Sequence, residues 1–112
     1  MNCLANGILA AVVLVVSTEV LAMDELHKKY ACRSCHADNR KLVGPAYQDV
    51  ADKYREAYKK DPAATTAKVA AKVKAGGSGI YGPVPMPPHG HVPEADVQRM
   101  VKAVLDMPSS KK

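Results

Sequence analysis

The chain has 112 residues, five Tyr but no Trp or Phe, and 16 basic against 11 acidic residues, for a net charge of +5 at pH 7. That length allows one small domain, near the size at which an apolar core alone is marginally stable, and leaves no room for a second. The positive balance comes without any nucleic-acid-binding motif, which excludes that class of partner and favours acidic protein surfaces.

Residues 8–16 are an uninterrupted apolar run, followed by polar Ser17, Thr18 and Glu19 and then Val20, Leu21 and Ala22. The pattern predicts a signal peptide over residues 1–22, cleaved after Ala22, although no Lys or Arg precedes the run. An uncleaved anchor is the alternative, but the run is well short of the roughly 20 apolar residues that a spanning helix needs. All 16 basic residues and ten of the 11 acidic ones follow Ala22, so residues 23–112 form a single domain of charge +6. The expected location is the periplasm, as a monomer with no stable membrane insertion after cleavage.

A first helix is predicted over residues 24–37, with Asp24 and Glu25 at its positive end and Leu26 and Tyr30 on one face. Its last turn carries Cys32-Arg33-Ser34-Cys35-His36. Two thiols at this spacing, followed at once by His, make the attachment signature of c-type haem. Each sulfur reaches one vinyl group at the porphyrin edge, and His36 supplies a nitrogen to the iron from one face. A dithiol redox pair would need a thioredoxin-like βαβ context, and a structural zinc would need four ligands. Neither is present in the sequence. One covalent haem c also answers the shortage of large aromatic side chains, since its flat apolar macrocycle supplies core.

Leu42-Val43-Gly44-Pro45 reads as a loop, and residues 48–58 as a second helix with Val50, Ala51, Tyr54 and Tyr58 on one side. Pro62 breaks it. A third helix is expected from a cap at Thr65 or Thr66 through Lys74, ended by the Gly-rich stretch 75–79. Residues 79–93 hold five of the eight prolines, so no regular element fits there. Pro93 opens a last helix with Val97, Met100, Val101 and Val104 inward. The prediction is therefore all-α, about four helices.

The candidates for the second axial ligand are Met23, Met86, Met100, Met107, His27, His89 and His91. Met100 and Met107 belong to the inward face of the last helix, Met23 becomes the N-terminus, and His27 shares a helix with the motif. Met86, set among Pro83, Pro85, Pro87 and Pro88, is favoured because stiff flanking backbone leaves little entropy to lose. His89 and His91 remain the competitors.

The motif CRSCH, then Val43-Gly44-Pro45-Ala46-Tyr47, then residues 79–88 in that order resemble the small bacterial class I cytochromes c of the c551/c552 type. The resemblance covers residues 24–107. It implies a class I cytochrome c fold around one low-spin haem, with His36 and Met86 as the axial, metal-binding pair and Cys32 and Cys35 as the covalent attachment points. It also implies that the Pro45 carbonyl orients His36, that Lys72 and Tyr81 approach a haem propionate, and that His89 stands where relatives often carry an Asn near the axial sulfur. Ala103 replaces a common aromatic. With both axial positions filled by protein, the expected role is an electron carrier and not an enzyme. The partners implied are a quinol-oxidising complex and a terminal oxidase, nitrite reductase or peroxidase with acidic docking surfaces. A haem enzyme or gas-binding protein with a labile sixth ligand is the alternative.

Overall fold

In the computed structural model the described residues are 18–111, and side chains are described from Met23 onward. The expected leader falls outside them except for its last residues, 18–22, which begin the first helix. The elements are α1 (Thr18–Lys29), a short 3-10 turn (Cys32–Ser34), α2 (Tyr47–Lys60), α3 (Pro62–Ala75) and α4 (Glu94–Leu105). Among the described residues there is no strand, only isolated bridges pairing His36 with Lys41 and Gly77 with Met86. None of their helices is long and apolar enough to cross a membrane.

The fold departs from the sequence expectation at two junctions. α1 stops at Lys29 instead of running through the motif. Ala31 takes a left-handed conformation, φ 59°, and the two cysteines sit on a separate 3-10 turn beyond it. This reversal lets the Cys-X-X-Cys segment turn away from the α1 axis. The second departure is at Asp61-Pro62. Pro62 does end α2, yet it also occupies the first turn of α3, where its missing N–H costs nothing. Asp61 Oδ1 accepts from the Ala64 N–H at 3.1 Å, so the cap is Asp61 and not Thr65 or Thr66. Those two threonines are buried, and Thr66 Oγ1 donates to the Pro62 carbonyl at 2.8 Å.

α4 is the hub, packing on α1, α2 and α3. Its Val97, Met100, Val101 and Leu105 join Val69, Ala70 and Val92 in the core, as apolar residues at i, i+3 and i+4 should. Two phenols tie helices across this core: Tyr30 Oη donates to Asp96 at 2.7 Å, and Tyr58 Oη to Asp106 at 2.6 Å. The first bond ties the residue just after α1 to the first turn of α4.

Candidate functional site

The 3-10 turn, the 41–45 loop, the 76–87 loop and the inner faces of α2, α3 and α4 enclose a cavity of about 760 Å³. It is in the size range of a cofactor pocket, and its walls are mostly apolar. At its mouth Val43, Ile80, Tyr81 and Val84 are exposed. An apolar rim of this kind is costly in water unless something covers it.

Cys32, Cys35 and His36 line one wall. The two cysteines are free and half-buried, and burial pushes the Cys32 thiol up. His36 is aimed by its backbone and its neighbours. Its Nδ1 donates to the Pro45 carbonyl at 2.8 Å, and because a carbonyl only accepts, the remaining lone pair is on Nε2. Gly44 lies against the ring: a Cβ there would meet His36 Cε1 at 2.5 Å, so only glycine lets the loop come this close. The Gly44 N–H donates to the Cys35 carbonyl at 2.8 Å, fixing the loop to the motif. Behind His36 the Tyr47 ring stacks at 5.2 Å and 18°, with the Arg33 guanidinium 5.2 Å from the same ring. Burial holds the Tyr47 phenol well above its ordinary pKa, and its Oη has no partner.

Met86 lines the same cavity from the Pro-rich loop. The Met86 N–H donates to the Gly77 carbonyl at 2.8 Å, and the Gly77 N–H returns a bond to Met86 at 3.0 Å. Gly76, at φ 69°, makes this approach possible, since a Cβ on it would fall 2.6 Å from the Met86 carbonyl oxygen. Two residues after Pro87, the His89 N–H donates to the Lys74 carbonyl at 3.1 Å. The loop bearing Met86 is thus strapped to the C-terminal end of α3.

Lys72, Tyr81 and His89 also line the cavity. Burial pushes the Tyr81 phenol up to about 12, and Lys53 Nζ lies 6.0 Å from its ring. His89 Nδ1 is buried without a partner. His91 tilts against His89 at 5.8 Å but is not part of the cavity wall, nor is Met107, whereas Met100 closes the cavity floor from the core. Among the described residues no three His, Cys, Asp or Glu side chains cluster to hold a bare metal ion, so zinc lacks a ligand set. A large apolar group tethered to thiols suits this cavity: the two sulfurs, an imidazole with a free Nε2 and a thioether face one space of cofactor size. Tyr47 and Gly44 enter the site in roles the sequence reading did not assign, and His27, weighed there only as an axial candidate and set aside, lines the wall as well. Only glycine's and tyrosine's places in the Val43–Tyr47 stretch hinted at two of them.

The cytochrome c family model matches residues 24–107. The chain is 42% identical over 99 residues to cytochrome c-551 of Allochromatium vinosum, covering 88% of this chain and 100% of that one. It is 41% identical over 101 residues to cytochrome c-552 of Nitrosomonas europaea, covering 90% and 93%. The crystal structure of wild-type Nitrosomonas europaea cytochrome c552 superposes with a TM-score of 0.65 at 40% identity, covering 73% of this chain and 95% of that one.

Proposed function

The chain belongs to the cytochrome c family, with the all-α class I fold of the c551/c552 type and one covalently attached haem c, and on that premise we propose that it is a periplasmic one-electron carrier with His36 and Met86 as axial ligands. The bound haem supplies a single Fe(III)/Fe(II) couple. Cys32 and Cys35 would hold the haem covalently through their sulfurs. His36 offers Nε2, its ring held by the Pro45 carbonyl and the Gly44 backbone. Met86 offers a neutral thioether, which favours the reduced iron and raises the potential relative to two imidazoles. With both ligands on short, hydrogen-bonded backbone, neither need move when the charge changes.

The observation that carries this reading is that Met86 and His36 line one cavity while each is fixed by backbone hydrogen bonds. Held by both His36 and Met86, the iron would be closed to peroxide, oxygen and substrate, which supports electron transfer as its chemistry. The exposed rim around Tyr81 and Val84, with Lys72 and Lys53 beside it, supports docking of an acidic redox partner at the cavity mouth. The mature polypeptide is taken as residues 23–112 after loss of the leader.

Spectroscopy of Met86→Ala tests the assignment. The wild type should show the sulfur-to-iron charge-transfer band of the oxidised protein, and the variant should lose it, fall in potential and bind carbon monoxide readily. An unchanged spectrum and potential would overturn Met86 as ligand. Peroxide turnover by the wild type at enzyme-like rates would replace the carrier with the labile-ligand alternative.

A further inference from the structure

His27 has no part in the proposed ligand set, yet it is 6% exposed and lines the cavity from α1. A buried imidazole without a structural ion pair needs a reason. Its Nδ1 lies 2.8 Å from the Met23 carbonyl oxygen. That oxygen only accepts, so Nδ1 keeps its proton and Nε2 is the atom that can gain or lose one. The ring tilts against Tyr47 with centroids 5.2 Å apart, and Tyr47 stacks on His36 at the same spacing. A titratable ring, a neutral aromatic ring and the proximal imidazole thus lie in a row, with the Arg33 guanidinium beside the middle ring.

We infer that His27 is a redox-linked proton site: its Nε2 takes up a proton from the solvent when the iron gains an electron, and Tyr47 is the ring through which it is seated against His36. The inference rests on the carrier reading above. The balance is simple. A partner supplies the electron, hydronium in the solvent supplies H⁺, and one of its O–H bonds breaks as the N–H bond at Nε2 forms, leaving water.

The charges facing His27 oppose one another. Asp24 from α1 and Asp38 from the loop favour the cation, and Arg33 from the 3-10 turn opposes it while bridging both carboxylates, 3.0 Å from Asp24. Lys28 is drawn off by Asp24 at 2.8 Å. From α2 the Tyr47 ring lies against it, kept neutral by burial. Burial outweighs the hydrogen bond to Met23 and holds the imidazole below its ordinary value, so it is neutral near pH 7. In this low-polarity setting one positive charge fewer at the redox centre changes the proton affinity of a nearby group by a factor of order ten. Linkage then requires that protonation of His27 favour reduction by the same factor.

The test uses the mature haem-bearing protein. The His27 imidazole signals, assigned by NMR and followed against pH in the reduced and oxidised states, should titrate at a lower pH in the oxidised protein. The reduction potential should fall as pH rises between those two values, by up to about 59 mV per unit for one electron and one proton. His27→Gln, which keeps a donor for the Met23 carbonyl, should lose that segment and retain any slope due to the haem propionates. Equal His27 titration in both redox states, no titration over the stable pH range, or identical potential profiles in wild type and His27→Gln would overturn the inference. Should His27→Gln fail to fold, the wild-type titrations decide alone. Loss of the sulfur-to-iron band would instead indict the ligand assignment, so the two failures are distinguishable.

Discussion

At the residue scale the site depends on what is missing as much as on what is present. Gly44 has no side chain because the His36 ring fills the space where one would be. Gly44→Ala should therefore push the ring off its Pro45 hydrogen bond, at a cost of about 1–3 kcal/mol for overpacking. Chemical denaturation of the haem-bearing protein should show the loss, and the haem spectrum should shift with it. The same substitution at Gly90, whose Cβ would meet nothing closer than 3.9 Å, is the control and should be close to silent. Reading the sequence singles out His36 and both cysteines through motif spacing, and Met86 through its proline flanks and the family resemblance, and the four line one cavity. It does not single out Gly44 or Tyr47 by role, since their value lies in contact with a ring eight or eleven residues away.

At the element scale the helices were legible and their junctions were not. α2 and α4 announce themselves through apolar spacing, and only one or two terminal residues differ from expectation. The motif turn is hidden because Ala31, a good helix former, adopts the left-handed conformation that usually calls for Gly. Tertiary contacts outweigh that local preference. Ala31→Gly should relieve the strain, stabilising the protein by roughly 0.5–1 kcal/mol after glycine's extra unfolded-state entropy is subtracted. A rise in thermal midpoint would bear this out, and a fall would show that the turn is unstrained. Asp61 matters for the opposite reason. One residue ends α2, through its N–H to the Ala57 carbonyl at 2.9 Å, and caps α3 with its carboxylate. Asp61→Ala removes the cap alone and should cost about 1 kcal/mol, whereas Asp61→Asn should cost little.

At the scale of the whole molecule, charge is unevenly engaged. Lys28, Lys59, Lys74 and Lys102 sit beside carboxylates. Lys41 and Lys72 at the cavity and Lys53 above Tyr81 have no such partner among the described residues. Lys29, Arg40, Lys60, Lys68, Arg99 and Lys111 are likewise without an ion-pair partner among the described residues, so free charge is spread over the surface. The three lysines at the proposed electron exit can still steer a partner of opposite sign over about one Debye length, roughly 8 Å at physiological salt. Stopped-flow transfer to an acidic redox protein should slow as salt rises. Lys72→Glu should slow it further, by about tenfold at low salt, and Lys111→Glu much less. Rates indifferent to salt and to Lys72 would show that docking does not use this mouth. The tail bearing Lys111 is pinned to α2, with Ser110 Oγ donating to Asp52 at 2.8 Å.

The strap between the Met86 loop and α3 has a consequence for how the molecule breathes. The amides of Gly77, Met86 and His89 are protected by bonds made across one small seam, to Met86, Gly77 and Lys74 in turn, and that of Gly76 by a bond to Lys72 within the last turn of α3. None can be freed far without disturbing the next, so detachment of the thioether and fraying of the last turn of α3 are one cooperative event, a sub-global opening with a single free energy. Amide exchange at these four positions should then share one opening constant, and any ligand that pulls Met86 away should loosen the end of α3 in the same stroke.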